Sequence, residues 1–507
     1  MTKKTLILLG FIALKFFLQF WLLGAEYELQ RDEYLHLELD DHLAWGYLSV
    51  PPFTAWTSYL IQLLGNSIFW IKFFPALYGA LTIFVVWKAI AELKGNLFAL
   101  ILGASCVLFS ALLRLNMLYQ PNSFDVLCWT TLYFVLIKYI NSENSKWLFI
   151  GAVVFALGFL NKYNIAFLLM GLVPALLLSK HRNLFLKPHL YWAIILGFVL
   201  IAPNILWQYQ NNFPVIHHME ELAQTQLVNV NRGDFLKAQL LFFLGGFFVI
   251  FAGLYALLFY KPYRSYRFFF YALGFTIITF LYFRAKDYYA IGLYPIYIAF
   301  GAVFLENILA EGWKKYLRPV AIAIPILLFI PIYNVAFPNK SPEYIVQHPE
   351  KYRKLGMLRW EDGKEHLLPQ DFADMLGWKE LAQKVDSVYA SLPNKTQTII
   401  ICDNYGQAGA INFYTTQNTK AVSFNADYVN WIDLSKKYEN LIRVKEKDED
   451  DSELEKTAPY FQKAMRAASV TNEYAREFGT SIDVFIDAKF DIRERIQKEI
   501  AAAKNYR

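Results

Sequence analysis

The chain has 507 residues, of which 56% are hydrophobic, 18% aromatic and only 18% charged, a balance far from that of soluble proteins. Its formal charge of +6 is scattered between apolar runs and forms no basic stripe, which argues against a nucleic-acid partner and for a multi-span membrane protein. Three cysteines, Cys106 and Cys128 inside apolar runs and Cys402 far from both, make no disulfide framework.

A spanning helix needs roughly 20 mainly apolar residues. In chain order such runs lie at 5–24, 67–87, 97–114, 123–140, 147–161, 164–180, 188–207, 235–259, 268–284, 288–306 and 319–337, which predicts about eleven transmembrane helices. The runs 147–161 and 164–180 are separated only by Asn161-Lys162-Tyr163-Asn164. No small-x-small cleavage site follows the first run, so it reads as an anchor and not a signal peptide. One set of alternating loops holds fifteen Lys and Arg in 45 residues, the other set six in 86. The excess of positive charge on the cytoplasmic side then places the amino terminus inside, and puts the loop 25–66 and everything after about 338 outside.

That opening loop is unusual. "QRDEYLHLELDDHLAWGYLSVPPFTAW" at 30–56 carries Asp32, Glu33, Glu38, Asp40 and Asp41 beside a bilayer. Leucines at 35, 39 and 43 suggest an amphipathic helix lying on the membrane surface. The other outer segments also cluster polar and aromatic groups: "RLNMLYQPNSFD" at 114–125, "NKYN" at 161–164, "QYQNNFPVIHHME" at 208–220 and "RAKDYY" at 284–289. Ionisable groups at membrane depth cost on the order of 2.5 to 3.5 kcal/mol each. Arg114, Asp125, Lys162, Arg284, Lys286 and Asp287, at the ends of spans, therefore need partners or a wet cavity. Adjacent carboxylates such as Asp32 and Glu33 suit proton abstraction from a hydroxyl or amine. Arg284 and Lys286, with the Tyr288 and Tyr289 hydroxyls, suit a departing phosphate. A structural ion pair of Asp32 with Arg31 or Lys286, and an interfacial aromatic belt for the two tyrosines, are the open alternatives.

From 338 to 507 the apolar runs stop and charge becomes dense, which predicts a soluble domain. "TQTIIIC" and "KAVSFN" read as strands around a helix in "DNYGQAGAINFYTT", and "VFIDAKFDIRERIQKEIAAAK" repeats strand then helix, an α/β pattern. Asp403, Asn404 and Tyr405 then sit either at a ligand-binding edge beyond a strand or in an ordinary turn punctuated by Gly406.

The Asp-Glu pair at 32 and 33 followed by "HLAWGYLSVPPFTAW" resembles the first outer loop of the dolichyl-phosphate-mannose protein mannosyltransferase-like superfamily, membrane glycosyltransferases of the family 39 type with the GT-C fold. "YQPNSFDVLCW", "GFLNKYNIAF", "APNILWQYQNNFPVIHHM" and "AKDYYAIGLYPIYIAFGA" resemble further blocks of that family in the same order, and "NYGQAGAINFY" resembles the tail of its bacterial members. The resemblance implies a GT-C-like transmembrane domain over 1–337 and an extracytoplasmic soluble α/β domain over 338–507. It implies an inverting transferase in a bacterial plasma membrane that moves a sugar from a polyprenyl-phosphate carrier to a lipid, glycan or protein acceptor. Carried over by residue, Asp32 matches the family's essential acid and is the general base, Glu33 is its neighbour, and the stretch from Lys286 to Tyr289 meets the carrier phosphate. Lys162, Gln208, His217 and His218 are candidate substrate contacts.

One departure concerns metal. The aminoarabinose-transferring branch of the family has Glu-Lys before the Pro-Pro pair, with the Glu holding a metal, whereas this chain has Ser49-Val50 before Pro51. A metal is therefore not assigned; His36, His42, His217 and His218 are the only nearby substitutes. A transporter or flippase of a lipid-linked sugar is the alternative function. Such folds often show repeated halves, and no internal repeat is visible here.

Overall fold

The computed structural model describes residues 2–447 and 452–505. These form two compact units: one of Met1–Leu23, Val50–Asn212 and Glu220–Phe337, the other of Gly24–Ser49, Phe213–Met219 and Pro338–Arg507.

The first unit is helical throughout. Each of the eleven apolar runs folds as helix. Five are long and apolar enough to cross a bilayer singly: Lys3–Trp21, Ile68–Glu92, Asn122–Ser142, Pro188–Gln210 and Gly312–Ala336. Two more form bent pairs, Arg232–Leu241 with Leu244–Phe259 at 71° and Asp287–Leu293 with Pro295–Ile308 at 46°. The first bend falls beside Gly245-Gly246 and the second at Pro295, which cannot extend the preceding helix. The other four runs fold as the shorter helices Leu97–Leu108, Lys146–Asn161, Ile165–Leu177 and Phe268–Tyr282. Among the described residues five helices, or seven if each bent pair is one span, are long and apolar enough to cross a bilayer, which does not confirm the expected eleven.

Burial separates central from peripheral helices. The span window of Asn122–Ser142 is 72% buried, and its Trp129 and Tyr133 anchor a core shared with Phe269 and Tyr297. Lys3–Trp21 and Gly312–Ala336 are only 17% buried and expose residues such as Phe17, Trp21, Leu327 and Ile330. Such faces are stable only in lipid, since the helices satisfy their own backbone groups.

The second unit is built on a five-stranded sheet in the order β2-β1-β3-β5-β4. Here β1 is Thr398–Cys402, β2 Ala421–Ser423, β3 Asn440–Lys445, β4 Phe461–Ser469 and β5 Ser481–Ala488. β1 runs parallel to β2 and β3, while β5 lies antiparallel between β3 and β4. Ile399, Ile401, Phe461 and Phe485 pack with Ile492 and Ile496 of the last helix, Ile492–Asn505.

The acidic opening loop folds in this unit. Gln30 caps the helix Arg31–Glu38 in a reciprocal capping box with Glu33. Leu35 and Leu39 are 4% and 0% exposed, and only Leu43, at 51%, is open. The leucine periodicity therefore marks a face buried within the protein, and the expectation of a helix resting on the membrane is corrected. Tyr34, on the same helix, is enclosed by Trp378, Phe413 and Tyr414 with ring centroids 5.7 to 6.0 Å away.

Candidate functional site

The helix Arg31–Glu38 places Asp32 in its first turn, where the helix dipole favours negative charge. The Tyr405 hydroxyl donates to Asp32 Oδ1 at 2.7 Å. Tyr405 opens the helix Tyr405–Tyr414, which Asn404 caps by accepting the Gln407 N–H. Two glycines let the helices approach: a Cβ on Gly406 would lie 2.6 Å from Arg31 Cγ, and one on Gly409 would lie 2.8 Å from Tyr34 Cβ. Gly406 is therefore a packing residue inside a helix and not the punctuation of a turn. The Arg31 guanidinium sits 4.5 Å from the Tyr405 ring centroid. Burial works against the Arg31 charge, but Tyr405 and Asp32 outweigh it and hold its proton more tightly than usual. Burial and then the Asp32 charge push the Tyr405 phenol up, so it remains the hydrogen donor of the pair.

The other acids of the loop have different duties. Glu33 Oε2 accepts the Gln30 N–H at 2.7 Å, and the residue is fully buried. Lys420 donates to Glu38 and to Asp41, each at 2.9 Å. Asp40 is pushed up to about 7 by burial, with Asp41 and Glu38 adding to the effect. A folded carboxyl held above its usual value of about 4 contributes stability at low pH that is lost as pH rises through about 7. Asp40→Asn should therefore match wild type in melting temperature near pH 4 and exceed it increasingly up to pH 8. A constant offset across that range in a thermal melt series would refute this.

At the expected metal position, Ser49 Oγ donates to Asp427 Oδ2 at 2.7 Å, and the Leu48 N–H donates to Asp427 Oδ1 at 2.6 Å. His42 is stacked on Trp431 at 4.2 Å, and His36 is buried. Among the described residues no three His, Cys, Asp or Glu side chains are grouped to hold an ion. These residues do not fit a metal site of the kind the family branch would suggest, and no step is routed through one.

In the first unit the break between Lys146–Asn161 and Ile165–Leu177 gathers the segments 114–125, 161–164 and 284–289. Asn161 donates to the Pro121 carbonyl at 2.8 Å. Asn164 Nδ2 donates to Asp125 Oδ2 and to the Tyr289 carbonyl, both at 3.0 Å, and Trp129 Nε1 donates to Asp125 Oδ1 at 2.9 Å. Both Asp125 oxygens are thus occupied by neutral donors. Lys162 Nζ donates to Asn122 Oδ1 at 2.7 Å and lies 4.3 and 5.1 Å from the ring centroids of Tyr289 and Tyr288. Gln208 donates to the Tyr163 hydroxyl at 3.0 Å, which in turn donates to Asn204.

Lys162, Tyr288 and Tyr289 therefore form one cluster, the two tyrosines on the stretch that carries Lys286, with Gln208 attached through Tyr163. Arg284 does not join it: this exposed residue, at a left-handed φ of 51°, reaches the Val228 carbonyl at 3.5 Å. His217 and His218 lie on the helix Pro214–Thr225, at the stretch that belongs to the second unit.

The tail motif divides its labour. Asp403 pairs with Arg443 and accepts the Glu446 N–H at 2.8 Å, a structural role. Asn404 caps, and Tyr405 meets Asp32. Sequence reasoning missed Asp374, whose carbonyl accepts the Arg31 N–H at 3.0 Å and whose side chain pairs with Arg476 at 3.1 Å. Burial lifts Asp374 to about 7 against the pull of Arg476 and Arg31. A visible signal existed only for Asn404, an amide just before a helical pattern.

Residues 49–207 match the family described as dolichyl-phosphate-mannose-protein mannosyltransferase. The lipid A galacturonosyltransferase RgtD of Rhizobium johnstonii is 24% identical over 216 residues, 41% of this chain. The match spans 45% of that relative's length. Two structures of ArnT from Cupriavidus metallidurans share the fold over 95% of this chain and 98% of theirs. The apo form gives a TM-score of 0.64 at 15% identity, and the form bound to undecaprenyl phosphate 0.61 at 14%. The resemblance read from the sequence holds.

Proposed function

Proceeding from a chain related to the mannosyltransferase family and built on the GT-C fold, we propose that it is an integral membrane glycosyltransferase. It takes a sugar from a polyprenyl-phosphate carrier and passes it, with inversion, to the saccharide headgroup of a lipid. The observation that carries this reading is Lys162, held by Asn122 against the Tyr288 and Tyr289 rings of the stretch that also carries Lys286. A lysine ammonium set against two aromatic rings, with both oxygens of the neighbouring Asp125 already bonded to Asn164 and Trp129, favours an anion such as a phosphodiester. The name of the Rhizobium relative supports a glycolipid acceptor, and the undecaprenyl phosphate named for one ArnT structure supports the carrier.

In this mechanism an acceptor hydroxyl attacks the anomeric carbon as the bond to the carrier phosphate breaks. Asp32 takes the hydroxyl proton, and the Tyr405 hydroxyl and the turn capped by Gln30 hold its carboxylate in place. The phosphate leaves as an anion, and Lys162 and Lys286 stabilise the charge that grows on it. A single displacement reverses the anomeric configuration. The reading places the enzyme in a bacterial plasma membrane with its amino terminus cytoplasmic and the acidic loop and tail outside.

Purified protein in detergent, given radiolabelled polyprenyl-phosphate sugars and a glycolipid extract, should transfer one sugar and release polyprenyl phosphate. Failure with every donor of the panel would overturn the assignment.

A further inference from the structure

The tail holds a cavity of about 310 Å³ that plays no part in the chemistry above. Its size is at the small end of ligand pockets, suited to one or two sugar rings. Trp360 forms one wall and is immobilised: its indole N–H donates to the Leu368 carbonyl at 2.8 Å, and His366 stacks on it at 3.7 Å. Phe478, 43% exposed, is a second aromatic ring of the lining; Lys447 Nζ lies 5.1 Å from its centroid and the Arg476 guanidinium 5.8 Å from that of Trp360. Between them the lining is charged and amide-bearing. Glu361, Asp362, Glu446 and Glu477 outnumber Lys447 and Arg476, which disfavours an anion. Aromatic faces beside carboxylates and a guanidinium bind compounds that offer both apolar C–H faces and paired hydroxyls or amines.

The polar end of the cavity is tied to the acid of the reaction. Arg476 pairs with Asp374, whose carbonyl accepts the Arg31 N–H. Glu477 is buried and accepts from Gln407 Nε2 at 2.6 Å, Asn404 Nδ2 at 3.2 Å and Thr480 Oγ1 at 2.9 Å. Asn404 and Gln407 belong to the turn that starts the helix of Tyr405, the hydrogen donor to Asp32.

We propose that this cavity is a saccharide subsite for neutral or amine-bearing sugars, and that it holds a distal part of the acceptor glycan. Its purpose rests on the transferase reading, but its affinity does not. The test is therefore made on full-length Asp32→Asn protein in detergent, which separates binding from turnover.

Titration with a neutral disaccharide, a glucosamine disaccharide and a galacturonate disaccharide, followed by calorimetry, should show the first two binding with Kd on the order of 1 mM, and the third not at all. Phe478→Ala, at an exposed position, should weaken binding about 3- to 10-fold without changing the melting temperature. A glycolipid bearing the same disaccharide should lose affinity in parallel. The proposal is overturned if no neutral or amine-bearing sugar binds, if the galacturonate disaccharide binds best, or if Phe478→Ala leaves both the free sugar and the glycolipid unaffected. Loss of transfer in the wild type with sugar binding retained would instead count against the transferase reading.

Discussion

Asp32→Asn is expected to leave donor binding intact and to lower the transfer rate by about 10²- to 10⁴-fold, the usual contribution of a positioned general base. The substitution keeps the shape of the side chain and its place in the capped turn, so the helix Arg31–Glu38 should fold as before. Tyr405 provides a graded control. Its hydroxyl donates to Asp32 at 2.7 Å, and Tyr405→Phe removes only that bond. A hydrogen bond to a charged group is worth about 1.5 to 3 kcal/mol at most in such a setting, so a loss of about tenfold or somewhat more is expected. Single-turnover rates at saturating donor would settle the matter. If Asp32→Asn transfers as fast as wild type, the proton must go elsewhere and the base assignment falls.

Lys162→Met should raise the donor KM by about 10- to 100-fold, the worth of one charge-assisted hydrogen bond to a phosphate. Methionine retains most of the side-chain length between the Tyr288 and Tyr289 rings, and equal melting temperatures would show that the break at 161–164 still folds. Arg284→Ala should change KM by less than about twofold, because Arg284 is exposed and turned to the Val228 carbonyl, a setting in which single contacts contribute little. The contrast is diagnostic: a large effect at Arg284 with none at Lys162 would place the phosphate elsewhere. From sequence, Arg284 ranked with Lys286 as a phosphate residue and Lys162 lay outside that group.

Much of the architecture was legible because lipid imposes a simple rule: long apolar runs become helices, and all eleven did. What runs of apolar residues do not reveal is where a helix stops being long enough to cross. Leu97–Leu108 and Ile165–Leu177 have 12 and 13 residues, yet lie in runs that read as full spans. In the tail, β1 and β5 were visible as β-branched, apolar stretches. β4 was not, because "FQKAMRAAS" is an edge strand that exposes Lys463 and Arg466 among alanines. Asp32 stood out as an acid beside a membrane, but its partners did not. Tyr405, Asp374 and Gly406 lie more than 300 positions away, and only the folded chain brings them to Arg31 and Asp32. The leucines at 35 and 39 mislead for the same reason: an amphipathic face looks alike whether it meets lipid or a distant helix.

That separation in sequence also sets an order of assembly. Tyr405 follows Asp32 by 373 residues. At roughly 5 to 20 residues per second of synthesis, some tens of seconds pass before the ribosome makes the helix that packs against Tyr34. During that interval the acidic loop lacks the partner that Tyr405 supplies to Asp32. The surroundings of Asp32 are thus completed only after nearly the whole bundle has been made, so a chain truncated before Tyr405 would lack the hydroxyl that Asp32 accepts from.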